Sequence, residues 1–288
     1  MLNPTGYMER TVEAEMLDEL PAHNRHAIRS RRDLRRINAF MGNAGIIAGA
    51  LQDAFSRHLA FRIVEIGAGD GELMLSVARR LRGKWRGVEV TLVDQQDLLQ
   101  AETRAELAAM KWRVCTAQGE VFKWLRENSG GNPNAIVANL FLHHFNNADL
   151  RKLFLQVAGK ARIFIAVEPR RSKPALICSW LLWLIGCNSV TRHDAAISVR
   201  AGFAGRELSA LWPDIEKWEL IERPAGHFSH LFIAQRKEPF TGTVFQPALS
   251  LMFNRQTSTP AQIPDDPPSA GVATGNTAEA LSVLPRKS

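Results

Sequence analysis

The residues best placed to do chemistry sit between Val64 and Glu72, where the chain reads Val-Glu-Ile-Gly-Ala-Gly-Asp-Gly-Glu. Glycines at 67, 69 and 71 let a backbone turn sharply and approach a ligand closely. An apolar segment precedes the turn and an amphipathic one follows it, the context of a strand, a loop and a helix. A second contact is correctly spaced: Asp94 closes the next apolar run, VEVTLVD, where a carboxylate can accept both hydroxyls of a ribose seated on the first turn.

A dinucleotide and a sulfonium nucleoside compete for that geometry, and charge separates them. In the dinucleotide fingerprint the third glycine or alanine would fall at Glu72. A carboxylate there would repel the pyrophosphate that a helix N-terminus attracts. S-adenosylmethionine carries a sulfonium and an ammonium instead, so Glu65, Asp70 and Glu72 are tolerable or helpful around it. The reading at this turn is a methyl donor, held by Glu65, Gly67, Gly69, Gly71 and Asp94.

Histidines and carboxylates at strand ends are the candidates for the acceptor side, because ligands lie beyond the carboxyl ends of parallel strands. The fourth strand closes at Asn139, beside the donor, and runs on through Leu140, Phe141 and Leu142 to His143 and His144. Either imidazole could take a proton from an acceptor hydroxyl. One of them packing or capping in the loop is the competing role. The fifth strand closes at Glu168-Pro169, after which Arg170 could clamp an acidic acceptor. Further on, His193 stands next to Asp194, although adjacent residues rarely face one another and spacing makes no dyad of them. Trp180 and Trp183 could line an apolar acceptor pocket. No metal site is expected, since Cys115, Cys178 and Cys187 have no ligand spacing and read as reduced, mostly buried thiols.

The elements that must position these groups follow from apolar patterning. FRIVEI, VEVTLV, WRVCTA, NAIVANLFL and ARIFIAVE are short, β-branched and nearly continuously apolar, as in strands buried on both faces of a parallel sheet. Helical segments separate them. KWELIERP and HFSHLFIAQRK are joined too tightly for a helical crossover, so the sheet should end in an antiparallel hairpin. The predicted fold is α/β: a mostly parallel seven-stranded sheet, with an N-terminal helical cap over residues 1–58, a donor-binding domain over 59–238 containing a lid insertion at 173–204, and a disordered tail at 239–288 rich in Pro, Ser and Thr.

Bulk composition fits one globular domain with appendages. Of 288 residues, 45% are hydrophobic and 23% charged, which excludes disordered, fibrous and membrane-embedded classes. The apolar stretch ICSWLLWLIGC is too short to cross a bilayer and reads as a buried or interfacial helix. With no secretory pattern at the N-terminus, a cytoplasmic location is expected. The net charge of +7 owes much to Arg25, Arg29, Arg31, Arg32, Arg35 and Arg36, a local basic helix and so a weaker signal for nucleic acid than a basic domain; nucleic acid is not the expected partner. Ile28, Leu34, Ile37, Phe40 and Met41 give that helix an apolar stripe, expected to close the cap over the acceptor pocket. Oligomeric state is not legible.

EIGAGDG, the strand-end Asp94 and the NLFLHHF segment together resemble class I S-adenosylmethionine-dependent methyltransferases, over about residues 59–237. RSRRDLRRINAFMGN and NSVTRHDAAISVRAGFAGRELSALWP also resemble bacterial small-molecule methyltransferases of natural-product, polyketide-associated type. The resemblance implies a Rossmann-like methyltransferase fold and a role for Glu120, after the third strand, in meeting the adenine amino group, with capping of the next helix as the alternative. It also implies methyl transfer to a hydrophobic small-molecule acceptor, through oxygen of an aromatic or polyketide-like compound. Carbon transfer to a quinone-like substrate, or an RNA or protein acceptor, is the alternative. Against RNA, the fourth strand lacks the Asn/Asp-Pro-Pro-aromatic motif of nucleic-acid amino methyltransferases.

Overall fold

The computed structural model describes residues 7–21, 23–55, 59–128 and 132–237. The chain divides into two units, Met1–Pro247 and Ala248–Ser288, and every described residue belongs to the first. The tail expected to be disordered lies outside the described residues.

Three helices open the chain: α1 (Met16–Glu19), α2 (Arg25–Met41) and α3 (Asn43–Ala54). Then β1 (Leu59–Ile66), α4 (Glu72–Leu81), β2 (Arg86–Asp94), α5 (Ala101–Ala109), β3 (Trp112–Gln118), α6 (Val121–Glu127), β4 (Ala135–Asn139), α7 (Asn147–Ala158) and β5 (Ile163–Pro169) alternate strand with helix. Two further helices, α8 (Lys173–Trp180) and α9 (Ser189–Ala201), precede β6 (Trp218–Ala225) and β7 (Ser229–Arg236). The sheet runs β3-β2-β1-β4-β5-β7-β6. β7 alone is antiparallel to β5, and it pairs with β6 as the expected hairpin. This is the predicted seven-stranded mixed sheet.

Alternation along the central strands explains the two cores. Ile63 packs with Ile47, Leu51 and Met74 on one face, whereas its neighbour Val64 joins Ile136, Leu150 and Phe154 on the other. Register then aligns the strand ends that matter: Ile66 lies opposite both Val93 and Ala138. Gly67, Asp94 and Asn139 therefore emerge at the same edge of the sheet.

Local chemistry starts the helices where the pattern requires. Asn146 accepts from the Asp149 N–H at the start of α7, and Asn188 from the Thr191 N–H at the start of α9. Ser172 caps α8, with Pro174 in its first turn.

The apolar stripe on α2 behaves differently from expectation. Ile28 and Phe40 are exposed, and the residues α2 buries are Ala27, Ser30 and Asp33. Ser30 donates to the Asn188 side chain at 3.0 Å, and Asp33 accepts from the Asn188 N–H at 3.0 Å, so α2 docks on the start of α9 through polar groups. The Asn188 N–H is buried there, and a buried donor left without a partner costs more than an apolar side chain left in water, so polar groups of α2 face the start of α9. Two thiols depart as well: Cys115 and Cys178 are exposed and only Cys187 is buried. Among the described residues no helix is long and apolar enough to cross a membrane.

Candidate functional site

The Gly-rich turn leaves β1 with Gly67 at φ 68° and Gly69 at φ 56°, conformations that L side chains rarely adopt. The Gly67 N–H donates to the Val93 carbonyl at 2.9 Å, stitching the turn to the end of β2. Asp94 completes the stitch: one carboxylate oxygen accepts from the Gly69 N–H at 2.8 Å and the other from the Gln96 N–H at 3.0 Å. A small cleft opens beside them, lined by Gly69, Leu92, Asp94, Gln96, Thr116 and Gln118. Gly71 leads into α4, where Glu72 begins the helix.

Acidic groups surround this turn. Glu65 is 1% exposed, and its Oε2 has no hydrogen-bond partner. Burial first, then the neighbouring charges of Asp70 and Asp94, push its carboxyl well above the usual range. Arg35 of α2 reaches Asp70 at 3.3 Å, so the basic helix touches the donor turn through one ion pair. Glu120 stands exposed at the start of α6, its oxygens accepting from the Phe122 and Lys123 N–H groups at 3.0 and 2.8 Å. In this structure it caps the helix.

Strand β4 ends at Asn139, whose side-chain oxygen accepts from Asn43 Nδ2 at 2.8 Å; Asn43 in turn accepts from Ser229 Oγ at 2.7 Å. This buried chain ties α3 to β4 and β7. Sequence reasoning missed Asn43, whose only signal is a polar residue opening an apolar helix.

Beyond β4, Leu142–His144 form a single 3-10 turn wrapped around Glu168. The Glu168 carboxylate accepts from the N–H groups of Phe141, Leu142 and His143 at 3.0, 2.9 and 3.3 Å, and contacts His143 Nδ1 at 2.8 Å. Glu15, from the N-terminal segment, contacts His143 Nε2 at 3.2 Å. Burial pulls the His143 imidazole down, but the hydrogen bonds from Glu15 and Glu168 outweigh it and push the ring up to about 9. Burial acts on Glu15 in the opposite sense, yet its bonds to His143 and His144 hold it well below the usual carboxylate range. His143 is therefore a buried imidazolium between two carboxylates, and both of its nitrogens are engaged. That corrects the expectation of a free base at this position. An acid inside an apolar strand, as in IFIAVEP, was the available signal for Glu168.

His144 is less committed. Its Nδ1 lies 3.1 Å from the Phe141 carbonyl, and its Nε2 is 3.6 Å from Glu15 and 3.7 Å from Asp18. Glu15, His143 and His144 present ligand atoms within 4.8 Å of one another, close enough for a divalent cation, but the structure engages His143 and Glu15 with each other.

His193 and Asp194 contradict the spacing argument. On α9, His193 Nδ1 lies 3.1 Å from Asp194 Oδ1, while the same carboxylate accepts from the Met16 and Leu17 N–H groups at 2.9 and 3.0 Å. Asp194 caps α1 across space. His193 itself is half exposed.

A pocket of about 420 Å³ opens past β5, lined by Tyr7, Met8, Arg170, Arg171, Lys173 and His230 among others. Arg171 is consumed by Glu207 and the Met8 and Gly202 carbonyls. His230 is buried against Glu222 at 2.9 Å, and its Nδ1 is unpartnered. Trp180 and Trp183 do not line this pocket; both are exposed. Helix α8, which ends at Trp180, turns only Ala175 and Ser179 inward, and the 3-10 turn that carries Trp183 buries none of its residues.

Residues 46–147 match a family described as "Putative S-adenosyl-L-methionine-dependent methyltransferase". That segment holds the Gly-rich turn, Asp94, Glu120, Asn139 and both histidines. No curated protein matches the sequence. Among solved structures, a "putative O-methyltransferase" of Nostoc punctiforme superposes with a TM-score of 0.50 at 13% identity, covering 78% of this chain and 64% of that one. The plantazolicin methyltransferase BpumL, solved with S-adenosylhomocysteine, superposes with a TM-score of 0.50 at 12% identity, covering 77% of this chain and 98% of that one. The chain thus spans less than two thirds of the length of the Nostoc protein. Its fold is the Rossmann-like methyltransferase fold. The family match covers residues 46–147, and the solved structures share with this chain the fold of S-adenosylmethionine-dependent methyltransferases.

Proposed function

We propose that this chain methylates a hydrophobic small-molecule acceptor, through an acceptor oxygen, with S-adenosylmethionine as the donor. The observation that carries the reading is the left-handed Gly67–Gly69 turn held by Asp94, with a buried acid whose Oε2 lacks a partner, Glu65, directly beneath it. The residues fit the donor: the glycines leave room for close backbone approach, Asp94 offers the ribose a carboxylate, and Glu65, Asp70 and Glu72 suit a cationic amino-acid moiety. Glu120 and Asn139 complete the proposed donor set, Glu120 toward adenine and Asn139 at the end of β4.

When bound, the donor supplies a methyl group on a sulfonium, which an acceptor oxygen displaces in line. The protein's part is to align the two and keep water out, and alignment alone supplies several kcal/mol. With His143 held as an imidazolium, His144 is the imidazole we assign to the acceptor proton, and Arg170 with Lys173 would meet an acidic group on the acceptor. His193, on the helix that packs against the N-terminal segment, is the further candidate. Residues 1–58 act as a cap and 173–204 as a lid in this reading; Glu15 and Asp33 supply their polar attachments.

Calorimetric titration with S-adenosylmethionine, followed by mass spectrometry of products from candidate phenols, tests the proposal. One donor bound per chain and a product heavier by one methylene unit is the expected result. Failure to bind donor would overturn it. Product fragmentation separates oxygen from carbon transfer.

A further inference from the structure

An unusual surface lies outside the site. Helix α8 and the 3-10 turn that follows it, Leu181–Ile185, expose Ile177, Trp180, Leu181, Trp183, Leu184 and Ile185, each between 45% and 61% accessible. Scattered exposed apolar residues need no explanation, but a contiguous run bearing two tryptophans does, because it leaves a large apolar area in water.

A basic helix borders that run. Arg29 of α2 donates to the Gly186 carbonyl at 3.0 Å, at the end of the 3-10 turn. Arg25, Arg29, Arg32 and Arg36 recur at steps of four, three and four along α2, which places them on one face, and all are exposed. On the same helix Ile28 is exposed, and Phe40 is 80% exposed. Asp33 points away from this face: it is buried against α9, and Arg36 reaches it at 3.8 Å.

We propose that α2, α8 and the Leu181–Ile185 turn together form a docking face for an anionic lipid bilayer. Tryptophans suit the interface, where an apolar ring and a polar N–H meet different surroundings. Leucine and isoleucine side chains enter the acyl boundary, and the arginines meet lipid phosphates. Residues 173–185 are too few to span, so the segment lies in the plane of the interface. Other occupants fit less well. Nucleic acid would satisfy the arginines and leave six apolar side chains in water. A second copy of the chain would cover the apolar run while opposing two sets of arginines.

The face also meets the 420 Å³ pocket, because Ser172, Lys173 and Pro174 line that pocket and begin α8. Resting on the proposed function, this placement makes a bilayer-dissolved acceptor the substrate class. The docking itself does not depend on that reading.

Co-sedimentation of the full chain with phosphatidylcholine vesicles, with and without phosphatidylglycerol, tests the docking directly. Binding is expected to the anionic vesicles, to fall at least about tenfold with added salt, and to be weak on phosphatidylcholine alone. Trp180→Ser with Trp183→Ser should lower it at least about tenfold, as should Arg25→Glu with Arg32→Glu, while melting temperatures stay near wild type because these side chains are exposed. A chain that stays in the supernatant overturns the proposal. So does a tryptophan variant that binds like wild type, or a dimer in light scattering that the tryptophan pair abolishes without any vesicle binding. Donor titration of the same preparations shows separately whether the methyltransferase reading stands.

Discussion

Asp94 and Gly69 are joined by a 2.8 Å hydrogen bond in which the strand-end carboxylate accepts from the amide of the Gly-rich turn. The residue proposed to hold the donor ribose is thus also a brace for the loop on which the donor would sit. Its replacement should be read on two axes.

Asp94→Ala removes the acceptor of two backbone N–H groups as well as the ribose contact. Donor affinity should fall by about 1.5–3 kcal/mol, roughly tenfold or more, the size of a hydrogen bond to a charged group, and the melting temperature should fall with it. Asp94→Asn keeps one acceptor oxygen and should recover more of the melting temperature than of the affinity. Calorimetric titration and thermal melts of both variants check this; an alanine variant binding within about twofold of wild type would contradict the ribose role.

The two turn glycines should respond differently to alanine. A Cβ at Gly67 would collide with the Phe141 ring, whereas a Cβ at Gly69 meets nothing within 4 Å. Both pay about 1–3 kcal/mol for a left-handed backbone, but Gly67→Ala adds the steric term. We expect Gly67→Ala to melt lower than Gly69→Ala, and Phe141→Ala to recover part of the difference. Equal melting temperatures for the two single variants would show that the ring yields freely.

Glu65 gives a pH dependence with a defined sign. Its folded carboxyl titrates above the ordinary range because of burial and then Asp70 and Asp94. A raised folded value means the stabilisation is complete below the ordinary carboxylate range and is lost as pH rises through the raised value. Glu65→Gln cannot ionise, so its melting temperature relative to wild type should climb as pH rises above the ordinary carboxylate range. Its donor affinity should drop, since a neutral amide meets the cationic ligand less well. Parallel melting curves across that rise would refute the assignment.

Asn43→Ala should destabilise the fold by about 1–3 kcal/mol, because it leaves Asn139 and Ser229 without a buried partner. Denaturant titration measures it. An Asn43→Ala midpoint equal to wild type would mean that water replaces the lost amide.

What was legible in the sequence is what repeats along it or sits within one turn. The five parallel strands followed from short, β-branched apolar runs, the hairpin from a connection too short for a crossover, and the Gly67–Gly71 turn from its position between strand and helix. Asp94 was legible because strand length and parallel register fix which residue leaves β2 beside that turn. The tertiary structure decided everything that depends on an opposite partner. His143 is an imidazolium because Glu15, 128 positions away, and Glu168 close on its two nitrogens; no local pattern encodes that encounter. The stripe on α2 has a real helical period, yet period reports only that a face is apolar, and the neighbour that α2 met was the polar start of α9, answered by Ser30 and Asp33. Trp180 and Trp183 read as pocket residues from composition, and only the packing of α8, which turns Ala175 and Ser179 inward, and of the 3-10 turn after it, which buries no residue, left them facing out.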